Sequence, residues 1–133
     1  MSAFNHLGII CKTDEARVSE ILNILLPILD SENVSYSLDE SVKYAGYLDS
    51  KTMPRSELIE LAELFIVIGG DGTFLGAARS LIESQKPLLG VNAGRLGFLT
   101  DIVPEKLHLE MTEILAGEHL LEDRILLEGK IMR

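Results

Sequence analysis

Residues 64–75, Leu-Phe-Ile-Val-Ile-Gly-Gly-Asp-Gly-Thr-Phe-Leu, are the stretch that decides the fold. The first five are all apolar, which predicts a strand covered on both faces in the interior of a parallel sheet. Three glycines around one carboxylate end this strand, and apolar residues return at helical spacing over residues 73–84. We therefore expect an interior strand at residues 66–68, with the turn at residues 69–72 at its carboxyl end.

The same alternation of strand and helix patterns extends outward from this stretch in both directions. Apolar runs predict further strands at residues 7–11, 34–38 and 87–91, and helical spacing predicts helices from Asp14, at 57–63 and at 104–116. This order predicts an open α/β fold with a mainly parallel, Rossmann-like sheet. Within the first helix, Pro27 is expected to kink or break the last part. Residues 39–54 have no clear period and are interpreted as a mobile or weakly structured connection, part of which can still pack through Tyr44, Tyr47 and Met53.

Composition excludes several classes of protein. Of the 133 residues, 47% are hydrophobic and 25% charged, which suits one folded domain with a real core. The net charge of −9 disfavours nucleic acids and anionic membranes as partners, although a small phosphorylated ligand can still bind at a helix N-terminus. No membrane span or leader is recognisable, so we expect a cytoplasmic protein. The single cysteine, Cys11, is interpreted as a buried reduced thiol.

The glycine turn at residues 69–72 is the strongest candidate site. Its glycines are expected to allow positive φ and close approach of a ligand, and the amides that follow can bind an anion. The turn matches neither Gly-x-Gly-x-x-Gly nor the usual phosphate loop. A carboxylate among phosphate-binding amides repels phosphate unless it holds a metal or accepts a proton from a hydroxyl, so Asp71 suggests phosphoryl transfer. The alternative is that Asp71 only caps a tight turn.

A second glycine-rich segment, residues 90–101, follows the next strand. If the two strands are neighbours, both loops lie at one edge of the sheet. Asn92 can bond to backbone or ligand, Arg95 can contact phosphate and Phe98 can stack on a base. Taken singly, Asn92 is better explained as a turn residue, Arg95 as a solvated charge and Phe98 as a core aromatic.

Together the two segments resemble the NAD kinase family. Gly-Gly-Asp-Gly-Thr at residues 69–73 matches its signature motif, and residues 90–92 with 94–99 match its second block. The resemblance implies phosphorylation of the adenosine-ribose 2′-hydroxyl of NAD by ATP or polyphosphate, giving NADP, with a divalent metal such as Mg²⁺. The signature motif alone is also found in diacylglycerol kinase-like enzymes.

Site residues follow from this resemblance by position. Asp71 would accept the proton of the hydroxyl, and Gly70 and Gly72 would line the phosphates. Leu75 and Phe98 would border the adenosine part of NAD. Where some members have a basic residue, five places after the motif aspartate, this chain has Gly76, so a phosphate contact would come from Arg79 or Arg95 instead.

The resemblance also implies a second half that this sequence does not contain. We place the α/β nucleotide-binding domain at residues 1–118 and the start of a crossover into an all-β C-terminal domain at 119–133. That domain would carry an Asn-Glu or Asn-Asp motif and build a homo-oligomer. The uncapped strand pattern at the end agrees with truncation, and the chain alone is expected to be inactive. The alternatives are a lipid or diacylglycerol-type kinase and a non-catalytic nucleotide-binding module.

Overall fold

The computed structural model describes residues 4–11, 16–40, 42, 51–92, 104–116, 126–127 and 130–131. The parallel strands are β1 (His6–Cys11), β2 (Ser35–Asp39), β3 (Thr52–Met53), β4 (Leu64–Gly69) and β5 (Leu88–Asn92). The α-helices are α1 (Ala16–Ser31), α2 (Arg55–Leu61), α3 (Asp71–Leu81) and α4 (Leu107–Leu115). Short 3₁₀ turns occupy Ile82–Ser84 and Pro104–Lys106, and β6 (Leu126–Leu127) pairs antiparallel with β7 (Lys130–Ile131).

Strand β4 lies inside a five-stranded parallel sheet of order β3-β2-β1-β4-β5. It pairs with β1 on one side, where Ile66 lies opposite Ile9, and with β5 on the other, where Ile66 lies opposite Leu89. Every residue of β4 is buried. The predicted interior strand and the α/β fold class are therefore confirmed.

The helices cover the two faces of the sheet separately. One face packs against α1 and α4, and the other against α2 and α3. The first core combines residues such as Ile9, Leu25, Ile66, Leu89 and Met111. The second combines Ile10, Leu58, Phe65, Phe74 and Leu88. Alternate residues of β1, β4 and β5 thus enter opposite cores, which explains why these strands are continuous apolar runs in the sequence.

The strand order reverses between β1 and β4. From β1 the chain continues to β2 on one side, whereas from β4 it continues to β5 on the other. The carboxyl ends of the two central strands lie side by side, since Cys11 is opposite Ile68. Open α/β sheets bind ligands in the crevice at such a switch point.

The interpretation of residues 39–54 as a weakly structured connection was wrong at both ends. Asp39 completes β2, and Thr52 and Met53 form β3 opposite Leu38 and Asp39. Val42 is buried in the first core. A strand of two residues is too short to show a period, so its pairing with β2 is invisible in the local sequence.

Pro27 does not end α1, which continues through it to Ser31. Proline removes its own N–H and crowds the carbonyl four residues earlier, but the leucines and isoleucines on either side of it are buried in the first core. Tertiary packing therefore outweighs the local preference. Helix α2 also begins before its predicted start, at Arg55, and ends at Leu61.

Gly8 offers a test of how tightly the second core is packed. A Cβ at this position would lie 2.9 Å from Cδ1 of Phe65 and 3.1 Å from Cβ of Ala62. Phe65 is fully buried and has no room to retreat. Gly8→Ala should therefore lower the free energy of unfolding by about 1–3 kcal/mol, measured by urea denaturation.

Gly76→Ala is the matched control, because nothing lies within 4 Å of a Cβ at that helical position. It should leave stability unchanged or raise it by up to about 1 kcal/mol. A Gly8→Ala protein as stable as the wild type would contradict the close packing described for Phe65.

Candidate functional site

The glycine turn connects β4 to α3 with no intervening loop. Gly69 is the last residue of β4, Gly70 is the N-cap with φ −113° and ψ −168°, and Asp71 is the first residue of α3. The amide of Phe74 donates to the carbonyl of Gly70 at 3.0 Å, and no side chain caps the helix. Helix geometry leaves the amides before Phe74 without a partner inside the helix, so they are available to an anion.

The glycines are needed for space rather than for positive φ, which corrects the expectation from sequence. None of Gly69, Gly70 and Gly72 has a left-handed φ. A Cβ on Gly69 would lie 2.9 Å from Cβ and Oγ1 of Thr73, so glycine lets the first turn of α3 pack onto the strand. Nothing lies within 4 Å of a Cβ at Gly70 or Gly72, which leaves the backbone there open to a ligand.

The two glycine segments begin at the same edge of the sheet, as expected. Gly69 lies opposite Asn92, the last residue of β5. The chain that follows β5, residues 93–103, lies outside the described residues, and it includes Arg95 and Phe98. Their assigned roles therefore stay predictions.

Of the other two candidate contacts on α3, one lies near the turn and one does not. Leu75 is 42% exposed, although its neighbour Phe74 is only 1% exposed, so Leu75 can contact a ligand. Arg79 is exposed in the last turn of α3, eight residues beyond Asp71 and about 12 Å along the helix axis. That position favours interaction with the negative end of the helix rather than with a phosphate at its start.

Cys11 ends β1 close to the turn, but it is unsuited to nucleophilic chemistry. The thiol is free and 5% exposed, as predicted. Burial, with a smaller effect of the Asp39 charge, raises its pKa to about 12. At neutral pH the sulfur is therefore a protonated thiol, and it fills part of the first core.

A charged cluster lies at the carboxyl end of β2, and the sequence alone did not predict it. Asp39 is 2% exposed and accepts two bonds from Arg55, Nε to Oδ1 at 2.6 Å and Nη2 to Oδ2 at 3.2 Å. The Nη1 group of Arg55 donates to Oγ of Ser80 at 2.8 Å. The position of Asp39 directly after an alternating strand pattern could have indicated this cluster. Asp39 instead falls in the segment that the sequence predicts to be a weakly structured connection.

The described part of the chain gives no further indication of a cofactor or a membrane. Among those residues, no group of three or more His, Cys, Asp or Glu could hold a metal ion. None of the helices seen there is long and apolar enough to cross a membrane.

Comparison with known proteins identifies relatives over the whole chain. Residues 7–119 match the family described as ATP-NAD kinase N-terminal domain. The NAD kinase of Ectopseudomonas mendocina is 40% identical over 136 aligned residues, which cover 100% of this chain and 45% of that protein. The NAD kinase of Marinobacter nauticus is 39% identical over 135, covering 100% and 46% respectively. The chain thus spans about half the length of the curated relatives it matches.

A solved structure shares the fold. The crystal structure of yeast NADH kinase complexed with NADH superposes with a TM-score of 0.71 at 19% sequence identity. The match covers 84% of this chain and 38% of the yeast chain. At this identity the likeness concerns the fold alone, and it agrees with the Rossmann-like sheet described above.

Proposed function

The chain belongs to the ATP-NAD kinase family, and from this we propose that it is the nucleotide-binding half of an NAD kinase. The complete enzyme transfers a phosphoryl group from ATP or polyphosphate to the adenosine-ribose 2′-hydroxyl of NAD, giving NADP. The observation that carries the proposal is the open glycine turn, which lies at the carboxyl end of β4, beside the switch point of the sheet.

Phosphate binding falls to the backbone of the turn. The first amides of α3 lack intrahelical acceptors and stand at the positive end of the helix dipole. Gly70 and Gly72 have no side chains to keep a phosphate oxygen away from these amides. This arrangement allows an anionic ligand to bind a chain whose net charge is −9.

Asp71 supplies the base in this proposal. As the 2′-oxygen of NAD forms a bond to the transferred phosphorus, its proton passes to the Asp71 carboxylate. The bond between that phosphorus and the bridging oxygen breaks, and ADP or the shortened polyphosphate leaves. Placing the base on the first residue of a helix fixes its backbone relative to the phosphate-binding amides, and such positioning is the main source of rate in phosphoryl transfer.

Leu75 and Phe98 complete the proposed site on the nucleoside side. Leu75 lies one turn into α3 and is partly exposed, so it offers an apolar surface next to the phosphate-binding turn. Phe98 would provide a second apolar surface from the segment after β5. A divalent cation such as Mg²⁺ would neutralise charge on the donor phosphates when bound.

The rest of the site would come from a second half like that of the longer relatives. It would hold the NAD ribose, close the cleft and form a homo-oligomer. Half of a cleft neither excludes water nor fixes two substrates, so the 133-residue chain should be inactive by itself.

The direct test measures NADP formation by the full-length protein and by this chain alone, with ATP or polyphosphate as donor and Mg²⁺ present. We expect turnover from the full-length protein and little or none from the chain. Diacylglycerol offered as the acceptor serves as the control and should not be phosphorylated. Robust turnover by the isolated chain would show that the site is complete without a second half.

Asp71→Asn in the full-length protein tests the base. Asn is nearly isosteric with Asp, and the N-cap is the neighbouring Gly70, so the fold and the turn should persist. Removing the proton acceptor should lower kcat by about 10²–10⁴-fold, while NAD affinity changes little. Turnover and NAD binding are measured side by side. Near-normal turnover would assign Asp71 a structural role.

Gly72→Ala tests whether the open backbone serves a ligand. The added methyl group meets no atom within 4 Å, so stability should stay the same or rise by up to about 1 kcal/mol. The same methyl group would crowd an approaching phosphate, so kcat/KM should fall about tenfold or more, equivalent to roughly 1.4 kcal/mol. Gly76→Ala, one helical turn further on, should leave kcat/KM close to normal. Equal kinetics in the two variants would refute direct phosphate approach at Gly72.

A further inference from the structure

Arg55 joins three elements of the second face through one guanidinium group. It belongs to the first turn of α2, it binds both carboxylate oxygens of Asp39 at the end of β2, and it donates to Ser80 on α3. The hydroxyl of Ser80 in turn donates to the carbonyl of Ala77 at 2.8 Å. We name this chain of bonds, from Asp39 through Arg55 to Ser80, the Arg55 tie.

The Asp39 end of the tie is firmly anchored. Asp39 is 2% exposed and its Cα is paired with β3 opposite Met53, so the carboxylate belongs to the rigid sheet. A buried carboxylate requires charged partners and hydrogen bonds, and the two-pronged contact with arginine supplies both. Arg55 is held in a fixed plane as a result, and its Nη1 group is directed at Ser80.

The Ser80 end holds the last turn of α3, the part farthest from the packing of Thr73 on Gly69. Gly72 and Gly76 of this helix contribute no side-chain packing. The buried side of α3 consists of Phe74, Ala77, Ala78 and Leu81. Two of these four are alanines, whose small side chains interlock weakly with the sheet below. The directional hydrogen bond from Arg55 to Ser80 therefore fixes the position of the helix more closely than packing alone.

We propose that Arg55 is a positioning residue for phosphoryl transfer: through Ser80 it sets where α3, and with it Asp71, stands at the edge of the sheet. The proposal rests on the function proposed above. A helix is stiff along its axis, so a shift at Ser80 is carried to Asp71, about 13.5 Å away. A misplacement of about 1 Å is enough to cost up to 10²-fold in rate.

The test uses Ser80→Ala in the full-length enzyme, because Arg55→Ala would remove two bonds to the buried Asp39 carboxylate and could unfold the protein. Ser80 is exposed, and its replacement leaves the contact between Asp39 and Arg55 in place. We expect kcat to fall about 3- to 10-fold, with KM for NAD and for the donor changed less than about twofold. Ser80→Thr, which keeps the hydroxyl, should restore kcat.

Ser84→Ala is the matched control. The Ser84 hydroxyl donates to the carbonyl of Leu81 at 2.7 Å, the same three-residue spacing as Ser80 and Ala77, and also accepts from the amide of Lys86. It lies in the 3₁₀ turn that follows α3 and is not part of the Arg55 tie. Its loss should leave kcat within about twofold of the wild type.

A double mutant separates positioning of Asp71 from general support of the fold. If the tie acts through Asp71, Ser80→Ala should add less than about a twofold loss in a protein that already carries Asp71→Asn. Equal losses in both backgrounds, or a Ser80→Ala enzyme as fast as the wild type, would overturn the proposal. An Asp71→Asn enzyme that remains fully active, or a wild type that does not phosphorylate NAD, would instead overturn the proposed function itself.

Discussion

The burial of β4 on both faces is the constraint to which the other described elements conform. Its alternate side chains enter opposite cores, Ile66 and Ile68 toward α1 and α4, and Phe65 and Val67 toward α2 and α3. A strand covered in this way needs neighbours on both edges, and β1 and β5 supply them. Because both pairings are parallel, the chain must cross over by helices, and all the carboxyl ends meet at one edge. The site therefore forms there as a consequence of the packing.

The glycines of the turn between β4 and α3 serve different purposes. Gly69 is required by the fold, because Thr73 occupies the space where a Cβ would stand. Gly70 and Gly72 are not required by any described contact, since open space surrounds them. Gly70 is the N-cap, where glycine is well tolerated, whereas Gly72 lies within the helix and costs roughly 0.5–1 kcal/mol relative to alanine. A glycine that costs stability without serving the packing is best explained by a ligand that approaches the backbone, so Gly72 supports the proposed phosphate binding independently of the family.

Local patterns predicted what is locally determined. The apolar run at residues 64–68, the glycine turn and the helical spacing after it predicted the central strand, the position of the turn and the fold class, since each depends on near neighbours in sequence. Strand β3 and the contact of Asp39 with Arg55 were missed because each depends on partners brought together only by folding. Pro27 shows the converse, where a strong local preference yields to a helix held by packing. The expectation of positive φ at the glycines was also wrong, because the crowding of Gly69 by Thr73 arises only in the folded turn.

A chain with 21 acidic and 12 basic residues needs a local source of positive potential to bind a phosphate. Arg55 is already bound to Asp39 and Ser80, and Arg79 stands at the far end of α3, so neither is placed to receive a phosphate. In the described part of the domain, the backbone amides at the start of α3 are left as the main source of positive potential at the turn. The start of this helix thus carries both the phosphate-binding amides and the base at Asp71. A general base must stand within hydrogen-bond reach of the hydroxyl, so a small shift of α3 acts mainly on proton transfer, and a contact that holds this helix acts on the reaction without touching a substrate.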